Sequence, residues 1–338
     1  MGAGIGFLLV VVAGFATGMY FVGIKYVSPW KWENIWFVYA VLALLVMPVI
    51  LAFATVPHLV QAFVSAPDNN LWHILLYGFG WGIGSVLSGL GVARMGLSVG
   101  VSVLIGIDAV VGTFVPMLIN TPHLVFQKKG LIVIAAVITL LVGVIVTGVA
   151  GKRREHDQNL SSTAIQQGSF AAGLAICILS GVFSAAINFA FAFSRPVSQA
   201  AINFGATPTN ALNLVWLVAL IGGLIPNLAY TVYLLSQRKT WGNFRLPNTG
   251  WFWFIGLGMA VLWFIGLLFY GWGAAAMGVI GAVIGWPLFM AMLIVASTAT
   301  GFATGEWKGA RTGTKQWMGA GIVVLIFASA LLGIANNF

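Results

Sequence analysis

Asp108 is the residue whose position most needs an explanation. It stands at the centre of an otherwise apolar run, Leu104-Ile105-Gly106-Ile107-Asp108-Ala109-Val110. Placing an Asp halfway through a bilayer costs on the order of 3 kcal/mol on insertion scales, so such acids usually face a cavity and work there. Stepping by four gives Gly96, Gly100, Leu104, Asp108, Gly112 and Pro116, one helical stripe with small residues above and below the acid. Pro116 has no N–H to offer the carbonyl of Gly112, which leaves that carbonyl available. Two roles fit Asp108: a carboxyl that binds and releases a proton during transport, or a structural acid bonded to a neighbouring helix.

Around this acid the apolar runs hold neutral polar and aromatic groups of the kind that suit an uncharged polyol. Asn188, Asn213 and Tyr270 offer donors and acceptors. Trp81, Trp263, Trp272 and Trp286 have faces on which a sugar ring can pack. Tryptophans at the ends of runs, such as Trp30, Trp32, Trp241 and Trp317, read instead as interface anchors. Pro287, next to Trp286, is expected to interrupt its helix and free the carbonyl of Val283, which makes it, with Pro116, a candidate hinge or break. The expected substrate-binding set is therefore Trp81, Asn188, Asn213, Trp263, Tyr270 and Trp286, with Asp108 as the proton-coupling residue. Glu33 and Glu306 sit beside Trp-Lys pairs and read as interfacial, with a cytoplasmic gate as the lesser alternative.

Other chemistries find no residues. The four histidines lie in loops or at the ends of runs without metal-ligand spacing, and one cysteine, Cys177, cannot build a disulfide framework. The glycines at 78, 80, 82 and 84 follow no strand, so they are no nucleotide fingerprint, and no Walker motif appears. No nucleophile–base set is present. The expectation is a protein that is not an enzyme and needs no cofactor or metal.

The elements that must position these groups follow from composition. Hydrophobic residues make up 60% of the 338 and charged residues 6%, with a mean hydropathy of +1.03. A soluble chain carries roughly 25% charged residues, so the solvent of this one is mostly lipid. Ten runs are long enough to cross a bilayer as helices, at 4–25, 34–56, 71–93, 97–119, 130–150, 169–193, 210–235, 250–271, 277–303 and 317–336. A barrel would need short alternating segments instead. The first run is too long, and lacks the positive start, for a cleaved leader.

The formal charge of +9 points to topology rather than to nucleic acid, because the basic residues fall in short loops. Loops after odd-numbered spans hold Lys25, Lys31, Arg94, Lys152, Arg153, Arg154, Arg238, Lys239, Arg245, Lys308, Arg311 and Lys315; those after even spans hold Lys128, Lys129 and Arg195. The positive-inside rule then puts the odd loops in the cytoplasm and both termini in the periplasm.

The two halves resemble each other. Trp81-Gly82-Ile83-Gly84 and Gly91-Val92-Ala93-Arg94-Met95-Gly96 match Trp263-Phe264-Ile265-Gly266 and Gly273-Ala274-Ala275-Ala276-Met277-Gly278 at one offset of 182. Gly14 and Ser28-Pro29 match Gly181 and Arg195-Pro196 at an offset of 167, and Pro48 and Pro226 fall at similar depths. Five helices per copy is an odd number, so the second copy enters the membrane from the other side. The expected organisation is a first five-helix repeat (1–151), a cytoplasmic polar linker (152–167) and a second repeat (168–338), inverted about a midplane site.

Read in order, Trp30-Lys31-Trp32-Glu33, Trp81-Gly82-Ile83-Gly84, Gly96-Leu97-Ser98-Val99-Gly100, Gly112-Thr113, Phe183-Ser184-Ala185, Phe269-Tyr270-Gly271-Trp272-Gly273 and Glu306-Trp307 make the chain resemble the L-rhamnose–proton symporter family of the drug/metabolite transporter superfamily. The resemblance implies an all-α membrane protein of ten helices in two inverted repeats, with a small sugar and H+ as its partners at a bacterial inner membrane. Where that family carries polar and acidic residues early in span nine, this chain has Gly281-Ala282-Val283-Ile284-Gly285, and it has Asp108 where the family lacks an acid. Either the coupling carboxylate has moved or the substrate differs. Export of a cationic or amphipathic small molecule stays open as the alternative, since a lone acid among tryptophans also suits a cation. So does a receptor or assembly subunit without transport. No oligomeric state is implied, and a monomer is compatible with it.

Overall fold

The structure, a computed structural model, describes residues 2–159 and 170–337. Among them are ten helices long and apolar enough to cross a membrane: α1 (Ala3–Tyr26), α2 (Trp32–Thr55), α3 (Asp68–Met95), α4 (Leu97–Asn120), α5 (Lys128–Asp157), α6 (Ala171–Asn203), α7 (Pro208–Gln237), α8 (Phe252–Ala276), α9 (Gly278–Ala303) and α10 (Thr312–Asn336). Leu8, Ile50, Phe53, Phe254 and Val323 are each more than 60% exposed, an apolar belt that lipid rather than water must cover.

Each expected span has its helix, and the departures have local causes. The α5 helix continues through Lys152–Asp157, because Lys152, Arg153, Arg154 and Glu155 are good helix formers and cations suit a helix C-terminus. Asp157 there accepts the Arg311 N–H at 2.9 Å and the Thr314 hydroxyl at 2.7 Å, capping the start of α10. The first residues of the expected linker are thus helical, while 160–167 lie outside the described residues. In α2 a π-helical turn at Leu42–Val46, closed by Met47 N–H to Leu42 O, comes directly before Pro48, whose missing N–H interrupts the regular ladder.

Small residues set the packing. The α1 helix lies against α8 and α9, and α6 lies against α3 and α4; α2 meets α7 and α8, α3 meets α7, and α5 pairs with α10. At the α3/α7 crossing a methyl group on Gly78 would stand 1.8 Å from the carbonyl oxygen of Ala219, so the backbones touch there. The α9 and α7 helices are the most enclosed, with 83% and 72% of their central windows buried, and form the middle of the bundle.

Candidate functional site

On α4 the predicted stripe is the buried face: Gly100, Asp108, Gly112 and Pro116 all point inward. The helix runs unbroken from Leu97 to Asn120 through Pro116. The carbonyl that Pro116 leaves unpaired is used: Asn188 Nδ2 donates to Gly112 O at 2.8 Å and to Ala282 O at 3.3 Å. The Asn188 oxygen accepts the Tyr270 hydroxyl. One buried amide on α6 therefore joins α4, α8 and α9, with both amide hydrogens and the oxygen committed.

Asp108 is 5% exposed. Trp286 on α9 donates its indole N–H to Asp108 Oδ1 at 3.0 Å and to the Asp108 carbonyl at 3.2 Å. Gly112 makes room for that ring, since a methyl group at this position would lie 2.2 Å from Trp286 Nε1. Tyr270 completes the group, its ring edge-on to Trp286 with centroids 5.3 Å apart. Four of the residues expected from sequence, Asp108, Asn188, Tyr270 and Trp286, thus form one buried cluster where α4 meets α6, α8 and α9.

The other expected residues lie elsewhere. Trp81 and Trp263 stack on each other at 5.3 Å and 28°, and Trp263 meets Tyr39 edge-on. Next to them a network not foreseen from sequence ties α7 to α2 and α3: Asn227 Oδ1 accepts from Trp36 Nε1 at 3.1 Å and from Ser85 Oγ at 3.2 Å. A polar residue directly after Pro226 in an apolar run was the available signal. Asn213 bonds Thr55 on α2. Trp272 keeps a buried indole N–H that has no partner among the described residues.

Pro287 does not interrupt its helix. After a 3-10 turn at Gly278–Ile280 the α9 helix is continuous from Gly281 to Ala303, because a proline near the first turns of a helix costs only one interior bond. The discontinuous span is α6, whose pieces end at Ser184, run Ala186–Ala192 and resume at Arg195–Asn203. Asn188 N–H bonds Ala185 O at 3.0 Å, three residues back, a tightened turn that aims the amide at α4 and α9.

The two ends of the bundle differ. Four ion pairs occur among the described residues: Lys25–Glu306, Arg154–Glu306 (3.1 Å), Arg238–Glu33 (3.0 Å) and Arg311–Asp157 (3.3 Å). Each joins α1, α2 or α5 to the chain beyond α6, and all lie on the odd-loop face. Glu33 and Glu306 are therefore cross-links between the halves of the bundle rather than interfacial acids, Glu33 being wholly buried. On the even-loop face a cleft of about 640 Å³ opens between Thr121, His123, Gln127, Lys129, Met277 and Ile280. Below it a smaller hollow reaches Met117 and Val283.

The family model described as L-rhamnose-proton symport protein (RhaT) matches residues 2–337. Among curated proteins the chain is 27% identical to an L-rhamnose-proton symporter of Cronobacter sakazakii, covering 98% of both chains. It is 25% identical to L-rhamnose-proton symporters of Citrobacter koseri and Escherichia coli, over 96% of this chain and 95% of each relative.

Proposed function

Because the chain belongs to the L-rhamnose-proton symport family, we propose that it carries L-rhamnose or a related neutral sugar inward with a proton, and that Asp108 is the coupling carboxylate. The observation that carries this reading is the placement of Asp108: a buried acid on α4, held by Trp286 of α9, at the seam between the first five helices and the last five. A proton-coupled sugar transporter is not an enzyme, so the work asked of these side chains is binding and proton exchange. The bilayer is the bacterial inner membrane, crossed ten times.

In this reading the halves 1–151 and 168–338 are inverted copies around the site, the arrangement of the drug/metabolite transporter superfamily. Adding five to each helix number turns the α1 contacts with α8 and α9 into the α6 contacts with α3 and α4. Individual glycines follow the same rule. Gly84 abuts Ser184 and its match Gly266 abuts Thr17; Gly91 abuts Cys177 and its match Gly273 abuts Val10. Thr17 and Val10 stand 167 positions before Ser184 and Cys177, the offset read from the sequence for the first span. Gly96 and Gly278, matched at 182, both have left-handed φ, 84° and 76°, as each turns the chain directly from one span into the next. Trp81 and Trp263, matched at 182 as well, meet face to face.

The basic odd loops are cytoplasmic and both termini periplasmic. The ion pairs then shut the cytoplasmic end, the cleft opens outward, and rocking of the halves alternates access around the α4/α9 seam. Uptake of labelled sugars by proteoliposomes, with and without an imposed pH gradient, tests the function. Accumulation of L-rhamnose or a close relative only with the gradient is expected; equal uptake without it discards proton coupling. A membrane-impermeant maleimide tests the orientation: Phe126→Cys labels in intact cells and Lys152→Cys does not, and the opposite pattern reverses it.

A further inference from the structure

Asn213 and Trp216 lie one turn apart on α7, 2% and 1% exposed, so they share a helix face. Asn213 donates one amide hydrogen to Thr55 Oγ1 at 2.8 Å, and Thr55 donates in turn to Leu51 O at 2.6 Å. That chain fixes the amide's orientation and leaves Asn213 Oδ1 as an acceptor. Neither this oxygen nor Trp216 Nε1 has a hydrogen-bond partner among the described residues. A buried polar atom left unpaired destabilises a fold, and here one acceptor and one donor are carried one turn apart on the same helix.

Their surroundings lead to the cluster described above. Trp216 stacks on Phe191, centroids 6.2 Å apart and planes 14° apart. Phe191 meets Tyr270 edge-on at 5.7 Å, and Tyr270 meets Trp286, the partner of Asp108. Gly271, next to Tyr270, lets the indole lie against α8: a methyl group on it would come within 3.0 Å of Trp216 Nε1.

We infer that Asn213 Oδ1 and Trp216 Nε1 are the pair that reads the hydroxyl groups of the transported sugar, with Phe191 against its C–H face. A hydroxyl both donates and accepts, so the hydroxyls of a single polyol can satisfy both atoms. A carboxylate can only accept and an ammonium can only donate, and each would leave one of the two atoms unpaired. The pair therefore selects neutral polyols over charged solutes. The inference rests on the sugar-symport reading and adds Trp216, which the sequence did not single out.

The test is sugar binding to the full chain in nanodiscs, with L-rhamnose and its monodeoxy analogues as probes. Trp216→Phe keeps an aromatic six-membered ring and removes the N–H together with the five-membered ring that carries it. The ligand-free variant is expected to fold and to unfold at a moderately lower temperature than wild type, since the lost ring leaves a cavity while no hydrogen bond is broken. Its affinity for L-rhamnose falls at least about tenfold, while one monodeoxy analogue binds variant and wild type alike. Asn213→Ala gives the same loss of affinity by a separate route. If both variants bind L-rhamnose as wild type does, water alone satisfies the pair and the inference is overturned, with sugar transport untouched. If wild type binds none of the sugars, the transport reading fails and takes the inference with it.

Discussion

The indole of Trp286 gives its single N–H to two oxygens of Asp108, the carboxylate at 3.0 Å and the backbone carbonyl at 3.2 Å. The contact spans α4 and α9, which belong to opposite halves of the chain. A substrate or proton that changes the carboxylate therefore acts directly on how those halves meet.

Replacement of Asp108 by Asn separates the charge from the hydrogen bond. The amide oxygen still accepts from Trp286, so the variant is expected to fold and to exchange sugar across the membrane at a rate of the wild-type order. Accumulation driven by a pH gradient should disappear. Full gradient-driven accumulation by this variant in vesicles would remove Asp108 from the coupling step.

Gly112→Ala moves Trp286 without touching the acid. The added methyl would sit 2.2 Å from the indole nitrogen, and overpacking of this kind costs about 1–3 kcal/mol. A lower unfolding temperature is expected together with weakened gradient-driven uptake. Gly89→Ala, where nothing lies within 4 Å of the new methyl, is the matched control and should behave as wild type. Equal behaviour of the two variants would show that the ring is not wedged where it lies.

Gly266 and Thr17 form a pair that one substitution should break and a second restore. A Cβ on Gly266 would lie 2.0 Å from Thr17 Oγ1, an oxygen with no hydrogen-bond partner among the described residues. Gly266→Ala is expected to destabilise the protein, and Thr17→Ala in the same chain to recover most of the loss. Thr17→Ala alone should change stability by less than about 1 kcal/mol, since no bond is broken. Thermal unfolding of the three variants decides the matter; absence of recovery in the double variant would place α1 farther from α8 than described.

Glu306→Gln removes two ion pairs at once, those with Lys25 and Arg154. Such partly exposed pairs contribute about 1 kcal/mol or less, so the odd-loop end should open several times more often, not permanently. Labelling of a cysteine placed at Thr298 on α9, which is buried in this state, in a Cys177→Ala background, reads this opening. A several-fold faster reaction with a thiol reagent applied from the odd-loop face is expected. An unchanged or slower reaction would mean that the pairs do not hold that end shut.

Sequence alone placed the spans and part of the site, for reasons specific to each. Long apolar runs admit no state but a membrane helix, so the ten spans were legible to within a few residues at most ends. Asp108 and Gly112 stood out because a charge and a proline-freed carbonyl are local costs that appear in any reading of the chain. The break in α6 was not legible: Ser184-Ala185-Ala186 contains no glycine or proline, and the turn tightens because Asn188 is drawn to carbonyls on α4 and α9. Pro287 misled for the complementary reason, since the few residues of α9 ahead of it absorb the missing bond. Asn213 was noticed as polar, but its idle oxygen depends on Thr55, a partner 158 positions away that no spacing rule reaches.

The stacked indoles of Trp81 and Trp263 have one more consequence. If the halves are inverted copies, as proposed, the inward- and outward-facing shapes are related by a two-fold rotation that exchanges the copies, and a contact made of matching residues is converted into itself. Emission from this tryptophan couple would then stay constant through the working cycle, an internal standard for probes attached anywhere off that line.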